Sequence, residues 1–71
     1  MGQTAPMSAT AAAELTVTAE HVSRYRERIA ALVPQLQDGE HDDAVAAIYE
    51  AERALRSAHR SLDRASKLLG H

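Results

Sequence analysis

Between Ala44 and Leu69 an apolar residue returns every third or fourth position: Ala44, Ile48, Ala51, Leu55, Ala58, Leu62, Ala65, Leu69. Residues three and four apart share one face of an α-helix, because a turn takes about 3.6 residues. The stretch is therefore predicted as a helix (helix 2, about 43–69), stopped by Gly70. With Ile48, Leu55, Leu62 and Leu69 at heptad position a, the four alanines fall at d, and Ala47, Ala54, Ser61 and Leu68 fall at g. Three apolar or small positions in seven make a face broad enough for a helical bundle rather than a two-stranded seam. Small side chains at every d let a neighbouring backbone approach towards the short end of the ~8–10 Å interaxial range. At ~1.5 Å per residue the helix is about 40 Å long. A face of that length has to be covered, and this need constrains the rest of the chain.

The same spacing occurs upstream in Val22, Tyr25, Ile29, Leu32 and Leu36, which predicts helix 1 over about 19–37. Thr18 is a suitable N-cap, Glu20 suits the positive end of the helix dipole, and Glu20 and Arg24 are spaced for an ion pair across one turn. Pro34 either ends the helix near Val33 or kinks it, since it lacks an N–H and crowds the preceding turn. Leu36 keeps the period, which favours a kinked continuation. The string Gln37-Asp38-Gly39-Glu40-His41 reads as a turn, with Gly39 free to adopt a left-handed backbone and Asp42 the better N-cap of helix 2. Residues 1–17 are small and polar with little to bury, and are expected to form a mobile tail. Ala11–Leu15 offers helix 1 a further turn or two, with Leu15 and Thr18 continuing its seam, and Thr16-Val17-Thr18 argues weakly against it, because β-branched residues lose side-chain freedom in helices.

A chain of 71 residues allows one domain, and a core of that size rarely supplies more than ~3–5 kcal/mol. There is no Cys to form a disulfide, and no Phe or Trp to enlarge the core. Leu, Ile, Val and Ala must do this work, which suits helices. The expected fold is all-α: an antiparallel two-helix hairpin that dimerises into a four-helix bundle with coiled-coil-like packing. Fifteen Ala and seven Arg against one Lys and no Asn suit a GC-rich bacterial genome. No stretch approaches the ~20 apolar residues that span a bilayer. The first residues carry neither the basic nor the hydrophobic region of a signal peptide, so no membrane association is expected and the cytoplasm is the expected location.

Helix 2 also carries a basic row, Arg53, Arg56, Arg60, Arg64 and Lys67, on the side away from its apolar seam. Such a row is a candidate polyanion-binding stripe, which Arg24 and Arg28 of helix 1 would enlarge. The plainer reading is a solvated helix face. Glu52–Arg56 and Asp63–Lys67 are ordinary pairs across a turn, and no aromatic residues alternate with the cations to stack on bases. The histidines His21, His41, His59 and His71 have no metal-ligand spacing, and only His59 and Asp63 sit one turn apart. Asp38, Glu40 and Asp42 resemble the start of a calcium loop, but Asp43 stands where Gly is required and Tyr49 where Glu is required. Tyr25 is expected in the core with its hydroxyl at the bundle edge, and Tyr49 half exposed. There are no paired catalytic carboxylates, no Ser/His/Asp set and no glycine-rich phosphate loop. Neither enzymatic activity nor a cofactor is expected.

From Ile29 the string Ile29-x-x-Leu32-Val33-x-x-Leu36-x-x-Gly39-Glu40, with Tyr49-Glu50 and Leu62-Asp63 further on, resembles the small subunit of exonuclease VII. The likeness departs at Asp42-Asp43-Ala44-Val45, and at Ala51-Glu52, where that family has Gly after its Tyr-Glu pair. It implies a helical hairpin that supports a large catalytic subunit. The residues themselves lead to a non-catalytic interaction module that self-associates and binds a protein partner. Its interface is expected at Val22, Tyr25, Ile29, Leu32, Leu36, Ile48, Ala51, Leu55, Ala58, Leu62, Ala65 and Leu69. A small nucleic-acid-binding protein using the basic row, and an accessory subunit of a larger enzyme, are the alternatives.

Overall fold

The computed structural model describes residues 6–70. Two helices, α1 (Pro6–Ala30) and α2 (Asp42–Leu69), are joined by a 3-10 helix at Val33–Leu36 and a short turn. They run antiparallel: Arg26 meets Glu52 near the turn, and Ala12 and Thr16 meet Ser66 at the open end. The hairpin measures 62 × 14 × 11 Å. That leaves room for two helices side by side and for no third layer.

Helix α1 starts far earlier than the sequence suggests. Residues 6–17, read as a mobile tail, belong to it, and only residues 1–5 of that stretch lie outside the described part. The threonines that argue against helix are accommodated in it. Thr16 Oγ1 donates to the Ala12 carbonyl at 3.1 Å and Thr18 Oγ1 to the Glu14 carbonyl at 2.8 Å, so neither hydroxyl competes with the backbone ladder. Thr18 is thus an interior residue and not a cap. Packing against α2 supplies the rest. Ala19 is one of the two buried apolar residues among those described, and Ala11, Ala12 and Leu15 are half-buried.

Pro34 ends the α-helix earlier than expected. The α-helical ladder closes with Ala31 N–H on the Glu27 carbonyl at 3.0 Å. The chain then tightens: Leu32 N–H bonds Ile29 and Gln35 N–H bonds Leu32, each at 3.1 Å and each spanning three residues. Pro34 sits in the first turn of this 3-10 segment, where a missing N–H costs nothing. The expected kinked continuation to 37 is therefore replaced by a break at Ala30. Val33 is buried beneath it and closes that end of the hairpin.

Gly39 has φ 87°, the left-handed conformation expected of it, within the turn. Asp38 organises the turn. Its Oδ1 accepts the Glu40 backbone N–H at 2.9 Å, and its carboxylate lies 2.9–3.0 Å from His41 Nδ1. The Glu40 N–H, and after it the His41 contact, hold the Asp38 pKa below the ordinary carboxylate range. Helix α2 begins one residue earlier than expected, so His41 is its N-cap position and contributes no side-chain cap. Asp42 and Asp43 act in the first turn as charges at the positive end of the helix dipole. Gly70 ends the helix, donating its N–H to the Ser66 carbonyl at 2.9 Å.

Candidate protein-interaction surface

Which side of α2 meets α1 decides what the apolar seam is left to do. The half-buried and buried positions of α2 include Val45, Ile48, Glu52, Leu55, His59, Leu62 and Ser66. At about 100° per residue their common direction lies between heptad positions a and e. The column Val45, Glu52, His59, Ser66, spaced by seven, thus points at α1. The alanine column at d is turned aside. Ala44, Ala51 and Ala58 are exposed, and only Ala65 is half-buried.

Polar residues hold this inner seam. Arg26 Nη1 donates to Glu52 Oε2 at 3.2 Å, with both side chains less than a quarter exposed. Arg56 reaches the same carboxylate oxygen at 3.4 Å. At the open end Ser66 Oγ lies 2.8 Å from the Ala12 carbonyl and 2.7 Å from Thr16 Oγ1. With two hydroxyl hydrogens for three contacts, one hydroxyl donates to the Ala12 carbonyl and the other donates to that hydroxyl. No buried side-chain N or O lacks a partner among the described residues. The sequence reading missed this column. Its signal was the heptad repeat of a second set of positions, hidden because Glu52, His59 and Ser66 do not read as core.

On α1 the inward positions include Leu15, Ala19, Val22, Arg26 and Ile29, and Val33 of the 3-10 segment continues them. Tyr25 and Leu32 of the expected interface lie roughly 80–100° to one side of them. They are 54% and 45% exposed. Tyr25 is therefore not a core residue of the single chain. The Arg28 guanidinium lies 5.9 Å from its ring centre. Tyr49, expected half exposed, is 47% exposed on α2.

For two antiparallel helices facing each other, the sense of rotation puts the Tyr25–Leu32 flank of α1 and the alanine flank of α2 on the same side of the hairpin. One broad side of the molecule is thus mainly apolar: Thr18, Tyr25 and Leu32 along one edge, which also carries Glu14, and the d and g alanines with Ser61, Leu68 and Leu69 along the other. Leu68 is 69% exposed. Of the expected interface, Val22, Ile29, Leu36, Ile48, Leu55, Leu62 and Ala65 are half-buried and line the floor between these edges. Tyr25, Leu32, Ala51, Ala58 and Leu69 stand proud of it.

The basic row occupies the opposite side. Arg53, Arg56, Arg60, Arg64 and Lys67 are all exposed there. Two are paired as their spacing implies, Arg56 with Glu52 and Lys67 with Asp63 at 3.2 Å. The Glu20–Arg24 pair is not formed within 4 Å. Arg24 and Arg28 point away from α2, roughly opposite the inward face of α1, so they do not extend the row. The α1 side chains that share its side are Glu20 and Glu27. With His21 and Tyr25, Arg24 and Arg28 instead line a shallow depression of about 170 Å³ on the outer face of α1.

Among the described residues no group of three or more His, Cys, Asp or Glu side chains converges as metal ligands, and His59 and Asp63 gain no third member. No helix of the described residues is long and apolar enough to cross a membrane. Comparison with known protein families, with curated proteins and with solved structures finds no match to this chain. The partial likeness to the exonuclease VII small subunit has no counterpart in those comparisons.

Proposed function

We propose that this chain is a non-catalytic interaction module, a helical hairpin that self-associates through its apolar side into a four-helix bundle and presents the outside of that bundle to a protein partner. One observation carries the reading: large and small apolar side chains lie exposed together on one side of a two-helix layer. Only Ala19 and Val33 are buried apolar residues among those described. The chain exposes 5286 Å². That is roughly 1,000 Å² more than the about 4,300 Å² that area scaling gives a compact protein of its mass. A standard interface takes roughly 800 Å² from each partner. The excess is thus of the size that pairing with one other molecule removes. Light scattering after gel filtration tests the reading. A dimer at micromolar concentration is expected, and a folded, helical monomer rejects it.

A second reading rests on the basic row, which pairing through the apolar side leaves outside the bundle. Arg53, Arg60 and Arg64 have no carboxylate within 4 Å among the described residues, which leaves three cations available to phosphates. If they are used so, retention on nucleic acid falls steeply with salt, and Arg60→Glu with Arg64→Glu abolishes it without loss of helicity. No retention at low salt ends this reading. The accessory-subunit alternative is a special case of the protein partner, and co-purification with a large enzyme subunit tests it.

A further inference from the structure

We infer that the depression on the outer face of α1 is a binding site for one phosphate monoester group, held by Arg24 and Arg28 with Tyr25 and His21 beside it. The inference goes beyond the proposed function and needs only a single chain, because all four residues belong to one helix.

Spacing builds the site. His21, Arg24 and Arg28 follow one another at three and four residues, and Tyr25 is one turn from both His21 and Arg28, so the four share one face over two turns. Arg24 and Arg28 have no carboxylate within 4.0 Å among the described residues. In this they differ from Arg26, which is paired with Glu52, and from Arg56 and Lys67 of the basic row. The acidic residues of α1 lie to other sides. Glu20 and Glu27 are roughly 80–100° around the helix from Arg28, and Glu14 is about 10 Å from His21 along the axis. Like charges one turn apart repel, and an anion between them removes that repulsion. The Arg28 guanidinium already lies 5.9 Å from the Tyr25 ring centre. Resting there, it has less freedom to lose when a ligand arrives.

Size and charge select the ligand. The depression holds about 170 Å³. A drug-sized ligand or cofactor takes roughly 300–1,000 Å³, whereas a water molecule takes about 30 Å³, so one compact group fits and a whole cofactor does not. A single carboxylate balances only one of the two guanidinium charges. A phosphate monoester carries about −1.5 to −2 near neutral pH and presents three acceptor oxygens. It matches two guanidinium groups, with the Tyr25 hydroxyl or a His21 ring N–H as a third donor. A nucleic-acid strand has one charge on each phosphate, repeated along its length, and suits a row of cations rather than one pair.

Titration of the isotope-labelled full chain, followed by NMR, tests the site. Near pH ~7.5 and at constant ionic strength, inorganic phosphate is expected to give saturable shifts in the backbone amides of residues 21–28, with half-saturation on the order of millimolar. Acetate should bind at least about tenfold more weakly. Arg24→Gln with Arg28→Gln should abolish the phosphate response, and Arg60→Gln with Arg64→Gln should leave it intact. A peptide bearing one phosphoserine tells the sources apart. Binding about tenfold tighter than inorganic phosphate supports the site and assigns the group to a phosphorylated protein segment; equal binding supports the site and assigns it to a small free anion. Equal affinity for acetate, shifts centred on Arg60 and Arg64, or no saturable shift overturns the inference. None of these three results bears on self-association, which light scattering reads separately.

Discussion

Glu52 is where the two helices are joined by charge, since its one carboxylate oxygen accepts from Arg26 across the seam and from Arg56 along α2. Removing it leaves the Arg26 guanidinium, under a quarter exposed, without an acceptor at that point. Glu52→Ala is expected to cost about 1–2 kcal/mol, the worth of a charge-assisted hydrogen bond that is partly screened. Urea unfolding followed by circular dichroism measures it, and a change within ~0.3 kcal/mol would show the pair to be decorative. Asp38 gives a pH prediction of definite sign. Its pKa is lowered on folding, so it adds stability above the ordinary carboxylate pKa, and the increment disappears as pH falls through the lowered value. The stability gap between the protein and its Asp38→Asn variant should therefore be steady near neutrality and close below about pH 4. A gap that stays constant down to pH 2 contradicts the role assigned to this carboxylate. The Glu52–Arg56 and Asp63–Lys67 pairs were legible in the sequence, because helical spacing alone makes them. The Arg26–Glu52 and Ser66–Ala12 contacts were not, since partners 26 and 54 residues apart depend on how two helices meet.

At the scale of the element, helix α2 was readable almost to the residue. Its seam runs unbroken for nearly four heptads and a glycine closes it, so periodicity and capping agree. Helix α1 was readable only in its middle. Its first half is alanine- and threonine-rich, with weak periodicity, and becomes helix by lying along the far half of α2. That is a tertiary cause invisible to local pattern. Its end was misplaced for the opposite reason: Leu36 keeps the period, but the backbone at Pro34 settles the matter by conversion to 3-10 geometry. The turn depends on Gly39, whose φ of 87° is rarely adopted by residues with a side chain, although nothing lies within 4 Å of an added Cβ. Gly39→Ala is expected to cost about 1–2 kcal/mol through backbone strain alone. The thermal midpoint should fall while the helix content at low temperature is kept. An unchanged midpoint would mean that the turn adopts another conformation at no cost.

For the molecule as a whole, the residues expected at the interface divide between the inside of the hairpin and its exposed apolar side. Heptad position a serves both the hairpin and its outer side, whereas d and the Tyr25–Leu32 flank are left to the outer side alone. A sequence shows the sum of these demands as one broad apolar face, and only the packing of the hairpin divides it. Substitution at d should therefore separate assembly from hairpin formation. Ala58→Glu places a charge in the middle of the apolar side, and is expected to convert dimer to monomer in light scattering while leaving the Arg26–Glu52 seam untouched. Arg60→Ala, on the opposite side, is expected to change stability by no more than about 0.5 kcal/mol and to leave assembly intact. Equal assembly of both variants would remove the apolar side from consideration as an interface.

The inner column of α2 also gives the hairpin a single permitted setting. If α1 slid along α2 by seven residues one way, Arg26 would face Val45 and lose its acceptor. Slid seven the other way, it would face His59, another basic group. Each rung of the column accepts a different neighbour, as wards in a lock admit one key, so a chain with repetitive alanine on its outside is barred from sliding on its inside.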